Sequence, residues 1–206
     1  AGVQGLKADR SFVVCFGFKW LGDKKTEVLT VLDYPGKDCQ DDGPLLKVAN
    51  EILSDSEGMI AHFGSEYDRP FLEARLRRMG LPPIPNSKLT DTCLVARKKF
   101  CLSSNRLGNL AEFLQVKTKK MNKRGGWPDW WMGALRGDKE AIKKMAAYCA
   151  VDVQCLEQVY MKMRPIISTR FLPINAAIGQ SLWTCASCGS HRKNHRGFYW
   201  SEKKRW

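Results

Sequence analysis

Three side chains in this sequence could do metal chemistry together: Asp68, Tyr148 and Asp152. Tyr148 and Asp152 bracket Tyr148-Cys-Ala-Val-Asp152 inside a run with helical periodicity, which places them one turn apart on the same flank. Asp68 ends the stretch Ala61-His-Phe-Gly-Ser-Glu-Tyr-Asp68, where a short apolar segment gives way to a helix. Carboxylate oxygens suit hard divalent ions such as Mg²⁺. Two such ions about 3.5–4 Å apart activate a water and stabilise a leaving oxygen in phosphodiester cleavage. A neighbouring phenol can orient the water. Each residue also has a plainer reading. Asp68 precedes Arg69-Pro70, a pattern common at helix N-caps. Asp152 falls at the margin of an apolar helix face, where a salt bridge would serve it as well as a metal. Asp91 is a lesser candidate of the same kind, with Thr92 and an apolar run behind it that suit a helix cap.

The elements that must position these residues follow from periodicity. Ser11 to Trp20 and Glu27 to Tyr34 are β-branched and aromatic and flank a Gly22-Asp23 turn, which predicts an antiparallel hairpin. Pro44 to Leu53 has helical spacing, with Asp42 as a candidate N-cap. Met59 to Phe63 predicts a short buried strand. Pro70 to Met79 predicts a helix closed by Gly80 and a proline-rich stretch. Leu89 to Phe100 starts apolar and turns helical, and Leu107 to Leu114 is a second short helix. Residues 117–131 read as a basic, tryptophan-rich loop. The longest helix spans Asp138 to Met163, with apolar residues at 142, 145, 149, 153, 156, 160 and 163, and Pro165 closes it. This order predicts an α/β fold, a mixed sheet with helices packed on it.

In this setting the two carboxylate motifs resemble those of the DnaQ-like 3′–5′ exonucleases of the ribonuclease H-like superfamily. The resemblance runs from about residue 11 to 163. In that family the second motif ends in a Phe/Tyr-Asp pair leading into a helix, as Tyr67-Asp68 does here. The third motif is Tyr-x-x-x-Asp in the tyrosine-type (DEDDy) branch, as Tyr148 and Asp152 are here. Lys117-Thr118 and Trp127 resemble features of phage-encoded members. The resemblance implies a 3′–5′ exonuclease using two Mg²⁺ or Mn²⁺ ions, with Asp68 and Asp152 as ligands and Tyr148 beside the attacking water. It also implies a first motif, Asp-x-Glu on a first strand, which this sequence does not contain. Phe12 to Trp20 looks like the family's second strand, so the first is expected upstream of Ala1, and this chain alone is expected to be weakly active or inactive. A second departure is Phe63, which stands where the family usually has Asn. The alternative is a non-catalytic nucleic-acid-binding module on the same ribonuclease H-like fold.

Charge points the same way. The chain of 206 residues carries 34 Lys and Arg against 21 Asp and Glu, a net charge of +13, which suits a polyanion partner. Lys117, Lys119, Lys120, Lys123 and Arg124 are candidate phosphate contacts, and Trp127, Trp130 and Trp131 beside them are either core anchors or stacking platforms. The partner expected is single-stranded nucleic acid or its 3′ ends. No run of transmembrane length and no secretory signal is visible. Six of the eight cysteines precede residue 185, most in apolar runs, as expected for a reduced, cytoplasmic setting, that of a bacterial host if the chain is phage-encoded. Cys185 and Cys188 form a Cys-x-x-Cys knuckle that suits Zn²⁺, half of a ribbon unless His191 and His195 complete it. The expected organisation is an exonuclease domain over 1–165, a linker over 166–184 and a partial zinc ribbon over 185–206. Replacing the five basic residues of 117–124 by Ser should reduce the salt dependence of single-strand binding, lowering the slope of log K against log salt by roughly 3 to 4. An unchanged slope in a fluorescence titration would make that loop a solvated face only.

Overall fold

A computed structural model describes residues 7–85, 88–118 and 127–167. Strands β1 (Cys15–Phe18) and β2 (Glu27–Thr30) form the expected antiparallel hairpin, with Cys15 opposite Thr30 and Phe18 opposite Glu27. Helix α1 (Gly43–Ser54) leads to β3 (Gly58–Ala61), α2 (Asp68–Arg78), β4 (Lys88–Asp91) and α3 (Thr92–Lys99). Strands β3 and β4 pair in parallel, from Gly58 opposite Lys88 to Ala61 opposite Asp91, with α2 as their crossover. Then come α4 (Leu107–Phe113), α5 (Trp127–Leu135), α6 (Lys139–Met163) and a 3₁₀ turn over Arg164–Ile166. Among the described residues the four strands make two separate ribbons, β1–β2 and β3–β4. No helix among them is long and apolar enough to cross a membrane.

Helix α6 joins two apolar clusters. Its first turns bury Ala141, Ile142 and Met145 against Phe12, Val14 and Leu46. Its last turns bury Cys155, Val159 and Met163 against Ala96, Leu107 and Leu110. The middle of the helix, residues 148–153, is only half-buried and crosses β1.

Several local expectations differ from the structure. The second strand stops at Thr30, short of Tyr34. Asp33 Oδ2 takes both the Thr30 N–H at 2.8 Å and the Thr30 hydroxyl at 2.7 Å, which folds the chain into a turn. Residues 127–131 are helical, where the sequence suggested loop. Pro128 falls in the first turn, where its missing N–H costs nothing. Trp130 and Trp131 pack on the first cluster, and a side chain at Gly133 would strike the Ala141 Cβ at 2.8 Å, so α5 sits close against α6. Trp130 and Trp131 are therefore core anchors. The expected linker over 166–184 and tail over 185–206 lie almost wholly outside the described residues.

Asp42 precedes α1 but its side chain caps nothing. It turns inward instead, fully buried, and accepts from Arg75 Nη2 at 2.6 Å, from Arg75 Nε at 3.0 Å and from the Val13 N–H at 2.7 Å. Such a two-pronged pair compensates the cost of burying both charges only while both partners remain. Arg75→Met should therefore lower the free energy of unfolding by about 3–5 kcal/mol in a urea titration. A loss below about 1 kcal/mol would mean that water relieves the stranded carboxylate.

Candidate active site

The chain from Ala61 to Asp68 is a tight loop that carries one carboxylate to the mouth of a cleft. Gly64 is needed by close approach. A Cβ there would sit 2.4 Å from the Ala61 Cβ, and it would be 3.5 Å from Asp68 Oδ2, so the Asp68 carboxyl turns back over the loop. Phe63 adopts φ +66°, a conformation a bulky residue takes at a cost of about 1–3 kcal/mol. The loop is held from below by Asp91. Its Oδ1 accepts from the N–H groups of Phe63 (2.9 Å), Cys93 (3.0 Å) and Leu94 (3.3 Å). Its Oδ2 accepts from the Ser65 N–H (3.0 Å) and hydroxyl (2.6 Å). Burial pushes the Asp91 carboxyl up, but these bonds outweigh it and hold the pKa below the usual carboxylate range. With every lone pair engaged, Asp91 is a cap and a clamp, not a metal ligand.

His62 is a second clamp. Its Nδ1 lies 3.0 Å from Thr92 Oγ1, and its Nε2 lies 2.9 Å from the Asn105 carbonyl. A carbonyl only accepts, so Nε2 carries the proton in that bond. His62 thereby ties the loop to α3 and to the segment before α4, the structural part that its place beside the motif suggests.

Asp68 is the first residue of α2, and Tyr67 occupies the N-cap position. Partial burial raises its carboxyl above the ordinary range, and the Asp91 charge adds to the shift. The residue as a whole remains exposed, so water blunts the effect. Asp68, Tyr148 and Asp152 all line one cleft of about 1480 Å³, and Asp152 Oδ1 is shut off from solvent. One wall is the hairpin strand with its flanks, residues 12–21, and the other is β3 with the loop after it.

Cys149 lines the same cleft, and the charges of both Asp152 and Asp68 act to raise its thiol pKa. It accepts a hydrogen bond from the Cys15 S–H and another from the Gly17 N–H. The first of these dominates and lowers its pKa, despite burial and the two carboxylates. Cys15, the donor, is pushed well up by the same bond and then by burial. This thiol pair escaped sequence reasoning because both cysteines read as ordinary apolar core residues. Among the predicted phosphate contacts, Lys117 is described. Its N–H and that of Thr118 bond to Gln158 Oε1 at 3.0 and 3.1 Å, which anchors the start of the basic loop to α6. Lys119, Lys120, Lys123 and Arg124 lie outside the described residues, as do Cys185, Cys188, His191 and His195.

A family model of the RNase H superfamily matches residues 3–164. The chain belongs to the RNase H superfamily. Neither a search of curated proteins nor one of solved structures found a match. Superfamily members are generally metal-dependent nucleases, so a role in nucleic-acid chemistry follows, with Mg²⁺ or Mn²⁺ the usual ions.

Because the folded-state pKa of Asp68 is raised, its ionised form disfavours folding. The penalty is absent below the unfolded pKa and grows as pH rises through the folded one. Asp68→Asn should therefore raise the Tm of the metal-free protein at neutral pH, with the gain vanishing in acid. A neutral-pH Tm that falls instead would show that the charge is stabilised within the cleft.

Proposed function

We propose that this domain is a 3′–5′ exonuclease of the DnaQ-like, tyrosine-type branch, acting on 3′ ends of single-stranded nucleic acid. The observation that supports this most is the shared cleft. Asp68, at the start of α2, and the Tyr148–Asp152 pair, 80 residues later on α6, line it together, and both carboxylates act on the same thiol. Asp68 and Asp152 would hold a divalent ion, Tyr148 would orient the attacking water, and the basic residues of 117–124 would retain the phosphates. Bound metal would supply an activated water and neutralise charge on the phosphate.

Asp68 and Asp152 would give one hard cation two carboxylate ligands. That pair falls short of the set two ions need, since among the described residues no three His, Cys, Asp or Glu side chains are disposed to hold a metal. In this reading the further carboxylates arrive on an additional strand bearing Asp-x-Glu. Consecutive residues of β1 and of β3 line the cleft. The shortfall also favours the second reading, a non-catalytic module that binds nucleic acid on the same fold.

The test compares residues 1–206 with the same chain extended by such a strand, following release of 3′ nucleotides in Mn²⁺. Little or no cleavage is expected from the shorter chain and clear cleavage from the longer. In the longer one, Asp68→Asn or Asp152→Asn should cut activity by roughly 10³-fold or more. Tyr148→Phe should slow turnover by roughly 10- to 100-fold while leaving Mn²⁺ affinity nearly unchanged. An extended chain that binds Mn²⁺ at the cleft and never cleaves would replace the enzyme with the binding module.

A further inference from the structure

Phe63 is hard to explain as a packing residue. It holds a left-handed backbone conformation that glycine or asparagine would adopt with less strain. Strain of this kind persists where something else requires the side chain. Packing is not the requirement, because Phe63 is half-buried and belongs to neither apolar cluster. The left-handed turn is imposed by neighbours: Asp91 fixes the Phe63 N–H, and Gly64 lets the chain fold back toward Asp68. The ring is thereby delivered to the cleft wall, five residues before the carboxylate. Arg97 lies over it, its guanidinium carbon 5.1 Å from the ring centre, and pairs with Glu66 at 3.7 Å. Arg97 is itself half-exposed and lines the same cleft, as does Arg106.

An aromatic ring, a guanidinium stacked on it and a second arginine along one cleft make the chemistry that recognises a nucleotide. The ring takes the flat face of a base, and the cations take phosphate. We infer that Phe63 is a substrate-binding residue, on which the base of one of the last two nucleotides of the strand stacks while Arg97 and Arg106 contact its backbone. The inference rests on the nuclease reading for the direction of the strand and deepens it by naming what holds the terminal nucleotide. Stacking accepts any base, so the site grips position and not sequence.

The experiment is a binding cycle read by fluorescence anisotropy with Ca²⁺ in place of Mg²⁺, so that chemistry does not intervene. Labelled oligothymidylates carry a single abasic sugar at the 3′-terminal, the penultimate or an internal position. Wild type should bind the intact strand roughly 5- to 150-fold more tightly than the strand abasic at one of the two end positions. It should be indifferent to the internal one. Phe63→Gly should lose that discrimination while keeping or raising the Tm, since glycine relieves the strained φ, and Phe63→Trp should retain the discrimination. A Phe63→Gly protein that melts lower and still discriminates as wild type does would make the ring a structural clasp and overturn the inference. So would a wild type indifferent to every abasic position. Neither result touches the nuclease reading, which stands or falls on Asp68 and Asp152.

Discussion

The buried pairing of Arg75 with Asp42 constrains more of this domain than any other single contact. Asp42 is reached by the chain just before β1 through the Val13 N–H, and it immediately precedes α1. Arg75 belongs to α2 and also reaches the Ala8 carbonyl at 3.4 Å. One ionic contact therefore sets the hairpin, α1 and α2 against one another. It sets the rotation of α2 as well, because a helix whose arginine must face a buried carboxylate cannot turn about its axis. Asp68 lies seven residues earlier, about two turns, and so on nearly the same face. The direction in which the candidate ligand leaves its helix is thus fixed from the far end of that helix.

Helix α6 imposes the complementary constraint. It is clamped at both ends by separate apolar clusters, and its half-buried middle is what remains to face the cleft. Tyr148 and Asp152 sit in that span. The polar residues need no burial of their own, because the turns on either side supply the packing. A contact between Lys19 and Glu157 continues the line along which β1 runs beside the helix.

The broad fold was legible because it is written in periodicity. The hairpin, the short strand at Met59, the helix after it and the long helix from Lys139 all follow from apolar spacing and from Gly80, which ends α2 in a left-handed conformation, while the parallel pairing of β3 with β4 was not read from it. The RNase H assignment was legible through Tyr67-Asp68 and Tyr148-Asp152, read together. What escaped was decided by partners distant in sequence. Asp42 reads as a cap because it precedes a helix, and only the fold reveals Arg75. Residues 127–131 read as loop because Gly125-Gly126 precedes them and Pro128 lies within them, both poor helix signals, while packing on α6 overrides that preference. Asp91 looked like a cap and is one, but its larger part, holding Phe63 and Ser65, depends on a loop that precedes it by some 26 residues. The thiol pair was invisible for the same reason.

Gly17 shows how little slack surrounds this region. A side chain there would meet Cys149 Sγ at 2.5 Å and a Val153 methyl at 3.2 Å, while its own N–H points to the same sulfur. Position 17 and position 149 therefore share one allotment of volume. In the course of descent neither can grow unless the other shrinks. The two positions should drift as a pair, so that in other chains of this fold a larger residue on the strand accompanies alanine or glycine on the helix. The wall of the cleft then keeps its shape through exchange between neighbours and not through invariance of either.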